Sequence, residues 1–375
     1  MSEARKRILN MVSEGKISVE QAEDLLAALD TDQQSTQQST QQQSGSTNDR
    51  KKAFGEDIKN FASQIQKEVS QAMKGMNPPS QEIKENAKKL GTWFQEMVES
   101  VTQNFSKSFA GSFEGVECNF TLGEPAGFSS CTVAEISNHF GCIQIREGSA
   151  FELQVKGRLA KMAFGDQTPQ DWFAANGIKT QDGLLKIGID SFIPTKGSFD
   201  FVLTIPAHLP LRCRVLSGDL KVEGNLTIER AQSVSGDLEF THTTFENGLI
   251  ETVSGDVLLQ GGTISTEVKT SSGDLRVQKA QIRKVRAQII SGDIDIFEPK
   301  VDDTSVIDVL TTSGDVSIAT PSGTFGKITV NTRTGNTTSN WSGVSVSEEG
   351  HCIRQEGRIG ASLLIETISG DINLR

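Results

Sequence analysis

Val268-Lys-Thr-Ser-Ser-Gly-Asp-Leu-Arg-Val277 is one copy of a phrase that recurs along the last half of the chain. Its Ser-Gly-Asp centre begins at Ser217, Ser235, Ser254, Ser272, Ser291, Ser313 and Ser369. The first five steps are 18, 19, 18, 19 and 22 residues, and Arg333-Thr334-Gly335-Asn336 stands where a worn copy belongs. Self-similarity at a near-fixed period marks a stacked repeat.

The flanks say what is stacked. One place after each Asp come Leu220, Leu238, Val257, Leu275, Ile294, Val316 and Ile372, and two places further Val222, Phe240, Leu259, Val277, Ile296, Ile318 and Leu374. Mostly polar residues such as Lys221, Glu239, Arg276 and Asp295 lie between them. Apolar residues also sit four places before each Ser, from Cys213 and Ala231 to Val309 and Ile365, with mostly polar ones at three. Period-two alternation on both sides describes half-buried strands. Each period is therefore strand, corner, strand and a variable stretch. Gly supplies positive φ at the corner and Asp or Ser bonds nearby backbone. One such unit cannot bury its apolar side alone, so the expected fold is mainly β: a parallel β-solenoid with 18–22 residues per rung. The usual crossover preference makes it right-handed.

The corner residues Gly218, Asp219, Gly236, Asp237, Gly255, Asp256, Gly273, Asp274, Gly292, Asp293, Gly314, Asp315, Gly370 and Asp371 are read as structural turns. A calcium ladder is the sharper alternative, but calcium needs six to eight converging oxygens and its solenoids use a nine-residue glycine-rich repeat. No metal or cofactor is expected.

Net charge is −11, and residues 206–375 hold 16 Lys/Arg against 22 Asp/Glu, which disfavours nucleic acid as a partner. The basic cluster Lys279, Arg283, Lys284 and Arg286 reads as a solvated edge. Five cysteines, Cys118, Cys131, Cys142, Cys213 and Cys352, form no C-x-x-C pair. No apolar run follows Met1-Ser-Glu-Ala-Arg-Lys-Arg, so a reduced, cytoplasmic protein, free or associated with a membrane surface, is expected.

Four segments precede or begin the repeats. Residues 1–30 read as an αα-hairpin, with Ser18-Val19-Glu20-Gln21 matching a capping box. Residues 31–50 are a Gln/Ser/Thr linker without material for a core. Residues 51–110 carry two amphipathic helices around Pro78-Pro79, with Lys-rich polar faces. Phe54, Phe61, Trp93, Phe94, Phe105 and Phe109 on their apolar faces are the candidate contacts with a protein partner, a second copy or a membrane surface. Residues 111–205 are irregular β that forms the first rungs or a cap, with strands at 116–122, 142–146, 151–155, 184–189 and 199–205. At the other end Ile372-Asn-Leu-Arg375 is still a strand where the sequence stops, so an uncapped last rung and end-to-end association are expected.

Arg7-Ile-Leu-Asn-Met-Val-Ser-Glu-Gly-Lys-Ile-Ser-Val-Glu-Gln-Ala-Glu-Asp-Leu-Leu-Ala-Ala-Leu29 resembles the short helical (SHOCT-like) module that opens many bacterial envelope-stress proteins. Leu203-Thr-Ile-Pro-Ala-His-Leu-Pro-Leu-Arg-Cys-Arg-Val-Leu-Ser-Gly-Asp-Leu220, with the repeats behind it, resembles the DUF4097 adhesin-like β-strand repeat family. The resemblance implies a non-enzymatic bacterial protein that senses or regulates cell-envelope stress. The chain carries no Walker A loop, G-x-S-x-G or H-E-x-x-H, and no catalytic residue is assigned. The expectation is a scaffold whose helical region, residues 1–110, meets a partner or membrane. A surface adhesin or polymerising structural protein is the first alternative. A glycan-active enzyme is the second; Asp302, Asp303 and Asp308, in the longer rung after Ser291, mark the best place for a grafted site.

Overall fold

The computed structural model describes residues 115–189, 197–321, 324–347, 351–355 and 360–375. The helical hairpin, the linker, the amphipathic pair and the contact residues Phe54 to Phe109 lie outside them.

Each period builds two strands joined at its Ser-Gly-Asp corner. The strand before the corner is long, as in Ile228–Ser235 and Thr263–Ser272. The strand after it has four residues, as in Leu238–Thr241 and Leu275–Gln278. Equivalent strands of successive periods pair in parallel, giving two 12-stranded sheets. Register is set at the corners: Ser217, Ser235, Ser254, Ser272, Ser291 and Ser313 are successive partners. Leu220, Leu238, Val257, Leu275, Ile294 and Val316 are successive partners in the short-stranded sheet. A one-residue slip would turn every one of these aliphatics into water. The fold is a β-solenoid.

Its interior is the space between the sheets. The aliphatic columns after the corner, Leu220 to Ile372 and Val222 to Leu374, are at most 1 % exposed. Burying each such side chain contributes about 1.5–3 kcal/mol. Bulk is traded within a rung: Phe240, edge-on to Phe245 at 5.1 Å, sits in the same period as the small Ala231. The stretch between periods, expected to be variable, also pairs. Thr244 and Phe245 partner Thr263 and Ile264, which partner Gln281 and Ile282. One-residue bulges at Asn247 and Arg283 join these segments to the long strands.

A second column inside the solenoid is polar. Two places before the corner Ser, Ser233, Thr270, Thr311 and Thr367 point inward and donate to the corner carbonyls of Gly236, Ser272, Ser313 and Ser369. Asn138 does the same for Gly141 at 3.0 Å and Phe199 at 2.6 Å. At Ser272, Ser313 and Ser369 the same carbonyl also accepts the ladder amide of the preceding corner's glycine, so each hydroxyl adds a second bond to it.

Both ends depart from simple sequential stacking. The C-terminal strands Ala361–Ser369 and Ile372–Leu374 do not form the last rung. Ile372 lies between Val316 and Thr337, and Ile365 between Val309 and Val330. The expected uncapped C-terminal rung is therefore corrected: the chain skips one slot, builds the outermost rung at 325–339, and returns to fill the gap. The worn copy at Gly335 is the outermost corner, and the backbone amide of the following Asn336 donates to Asp371 Oδ1 at 2.8 Å. Strand Cys352–Gln355 runs antiparallel along that outer rung, and Trp341 stacks on Phe325 at 5.6 Å.

The opposite end is built the same way. Val133–Phe140 and Ile143–Glu147 form a rung around Gly141, yet the later strands Leu184–Ile187 and Gly197–Ile205 pair outside it. The chain then crosses to the other side of the Gly141 rung to begin Leu211–Ser217. Gly115–Leu122 and Glu152–Ala160 close the short-stranded sheet antiparallel. Helix α1, Pro169–Asn176, is capped by Thr168, whose hydroxyl accepts from the Asp171 amide at 3.1 Å. It inserts Phe173 among Phe120, Phe199 and Phe201 at 5.7–5.9 Å, sealing that end with aromatic surface.

Candidate functional site

The feature that most invites a functional reading is the row of corner carboxylates. Gly218, Gly236, Gly255, Gly273, Gly292, Gly314 and Gly370 have φ between 130° and 144°. Their Cα atoms face the carbonyl oxygen of the preceding corner's glycine so closely that a Cβ would collide with it. Each Asp then turns along the stack. Asp219 Oδ1 accepts from the Asp237 amide at 3.0 Å, Asp237 from Asp256 at 2.9 Å, and Asp256 from Asp274 at 2.9 Å. Asp274, Asp293 and Asp315 accept from Asp293, Asp315 and Asp371 at 2.8–2.9 Å. Asp200 plays the part for the Cys142 amide at 2.8 Å.

Magnitudes decide what this ladder does. Neighbouring carboxylates one rung, about 4.8 Å, apart repel by roughly 0.9 kcal/mol in water before salt screening. A hydrogen bond to a charged acceptor is worth about 1.5–3 kcal/mol. The column is a net brace for the corners. Among the described residues no group of three or more His, Cys, Asp or Glu is arranged to hold a metal ion.

The acidic insertion after Ser291 is likewise a turn. Asp302 Oδ1 accepts from the Thr304 amide at 2.9 Å and hydroxyl at 2.7 Å, bonds that hold its carboxyl below the usual range. The Ser305 hydroxyl accepts from the Asp302 amide at 2.8 Å and donates to Ile282 O at 2.7 Å, tying the insertion to the neighbouring rung. Asp308 pairs with Arg286 at 2.9 Å. Asp302 and Asp308 are each engaged by neighbouring groups of the ladder. Within the basic cluster, Lys279 faces Glu298 at 3.8 Å while Arg283 and Lys284 are exposed on the bulged edge.

Cys213 is buried in the core, which pushes its thiol up to about 12, whereas Cys142 is exposed at a corner. His351 bonds the Gly335 carbonyl at 2.7 Å and serves the outermost corner. Among the described residues the one buried acid facing outward is Glu251, 2 % exposed, which sequence alternation alone places in water. Its Oε2 accepts from Arg230 at 2.8 Å and Gln232 at 2.8 Å.

Residues 200–375 match the Toastrack DUF4097 family model. Residues 3–34 match a SHOCT-like domain. The Toastrack match begins at the strand outside the Gly141 rung, so the rungs at 133–147 and 184–189 extend the solenoid beyond it in sequence. No curated protein matches the chain. Similar solved structures include a candidate adhesin from Bacteroides fragilis, 13 % identical over 70 % of this chain and 98 % of that one, with TM-score 0.38. A candidate lipid-binding protein from Parabacteroides distasonis is 12 % identical over 70 % and 98 %, with TM-score 0.34. A candidate cell adhesion protein from Clostridium sporogenes is 11 % identical over 69 % and 99 %, with TM-score 0.23.

Proposed function

We propose that this protein is a non-catalytic scaffold that takes part in sensing or regulating cell-envelope stress in a bacterium. The Toastrack solenoid is its rigid platform. Residues 1–110 make the contact with a protein partner or a membrane surface from the cytoplasmic side. The observation that carries this reading is the fate of the acids. The corner column, Asp302 and Asp308 all bond backbone, hydroxyl or guanidinium groups that hold the rungs in register. Paired catalysis needs two carboxylates in contrasting environments facing a common substrate.

The test compares the full chain with a chain lacking residues 1–110. Both are run through in-cell crosslinking with mass spectrometry and co-sedimentation with anionic vesicles. Partner or vesicle capture by the full chain and its loss on deletion is the expected result. Equal capture by the shortened chain would move the contact to the solenoid and refute the assignment.

A further inference from the structure

Alternation puts the residue just before each corner Ser on the outside of the long-stranded sheet. Five of the seven regular periods carry an aliphatic there: Leu216, Val234, Val253, Ile290 and Ile368. Strand register stacks these positions into one outward stripe beside the corners. Toward its ends the stripe keeps intermediate exposure. In the middle it does not: Val253 is 6 % exposed, Ser271 1 % and Ile290 3 %, with Glu251 beside them at 2 %.

Ladder neighbours alone cannot produce that burial. Val234 has ladder neighbours on both sides, as Val253 does, and remains half-buried. Among the described elements, strands Thr244–Ser254, Thr263–Ser272 and Gln281–Ser291 pack chiefly on one another and on the adjoining strands of their own ladder. The Ser271 hydroxyl finds no partner there, as expected under an apolar cover.

We propose that the amphipathic segment 51–109 of this same chain lies across the middle of this stripe, with its apolar edge against Val253, Ser271 and Ile290. The chain enters the described structure at Gly115, in the edge strand at the capped end. From that edge strand, Gly115–Leu122, to the Gly292 rung is eight ladder steps, about 38 Å at 4.8 Å each. The second amphipathic run, residues 83–109, is 27 residues long and as a helix would span about 40 Å. Running back from Gly115 it reaches all three covered rungs. Its far half, with Ile83, Leu90, Trp93 and Phe94, supplies the apolar edge that meets the covered rungs. The buried Glu251 fits a covered site because Arg230 and Gln232 already hold its carboxylate in the plane of the sheet. The inference narrows the scaffold reading: with the segment's apolar edge against the solenoid, the contact with a partner or membrane falls to residues 1–50 and to the segment's Lys-rich face.

The test uses the full chain, with light and heavy isotopic forms mixed in equal amounts and treated with a lysine-reactive crosslinker. Expected are light–light and heavy–heavy links from Lys84, Lys88, Lys89 or Lys107 to Lys269 or Lys284 on the striped face, and none to Lys221 on the opposite sheet. Replacing Val253 and Ile290 together by Asp is expected to cut these links at least tenfold. Phe94→Asp, which leaves the solenoid untouched, should do the same. Absence of the links, equal links to Lys221, or an unchanged yield in Phe94→Asp would overturn the proposal. Mixed light–heavy links would overturn it too, by showing that a second copy covers the stripe.

Discussion

Replacing Gly273 by alanine gives the sharpest test of the corner mechanism. Its φ is 132°, and the added Cβ would drive into the carbonyl of Gly255. The backbone conformation alone costs an L-residue about 1–2 kcal/mol. Relieving the collision means parting the two rungs by about 1 Å, toward ordinary carbon contact distance. Three bonds cross that gap: Asp274 N to Asp256 Oδ1 at 2.9 Å, Gly255 N to Ser272 O at 3.1 Å and Val257 N to Asp274 O at 2.8 Å. The first is charge-assisted, about 1.5–3 kcal/mol, and the others about 0.5–1.5 each. The total is roughly 4–8 kcal/mol, comparable with the whole stability of many domains. At about 2–4 °C per kcal/mol the melting temperature should fall by roughly 10–30 °C. Gly123, with nothing within 4 Å of an added Cβ, is the control, and Gly123→Ala should stay within about 0.5 kcal/mol of the parent. Thermal melts followed by circular dichroism decide it. A Gly273→Ala melt close to that of Gly123→Ala would refute the account of the corners as close-approach sites.

Three further outcomes follow from the same geometry. Asp274→Ala strands the Asp293 amide and should cost about 1–3 kcal/mol in urea titrations, while Asp274→Asn, which keeps an acceptor oxygen, should cost clearly less; equal losses would show that charge rather than the hydrogen bond matters. Deleting residues 370–375 removes the buried Ile372 and Leu374 and opens two ladder edges, so a loss of roughly 3–6 kcal/mol and self-association by light scattering are expected, and an unchanged monomer melt would contradict the interleaved ending. Cys213 ionises near 12 in the folded chain against an ordinary 9.0. The unfolded chain therefore releases its proton first, and this thiol leaves stability flat below about pH 9 and lowers it toward pH 12 by about 1.4 kcal/mol per unit. Cys213→Val should remove that part of the alkaline slope.

The regular rungs were legible because corner chemistry and period-two alternation agree at every copy, so each local choice points to the same stack. Val133–Phe140 was missed: it lacks the Ser-Gly-Asp phrase, and its inward Asn138 reads as a surface residue although it serves two corner carbonyls. The inward hydroxyls of Thr270, Thr311 and Thr367 were hidden for the same reason. The order of rungs at the ends was illegible on physical grounds. Leu364-Ile365-Glu366 has the same alternation whether its slot is last or next to last, and only the pairing partners differ. Outward Val253 and Ile290 likewise looked like ordinary strand residues until their burial set them apart.

Interleaving at both ends has a bearing on how such a chain can lengthen. A unit duplicated between the Gly218 and Gly314 corners meets identical neighbours above and below and simply makes the stack taller. Duplication at either terminus would have to reproduce a skipped slot, its occupant and the capping strand together. Lengthening or shortening of the stack is therefore accommodated most simply at the interior units, with its two interleaved ends acting as fixed stoppers.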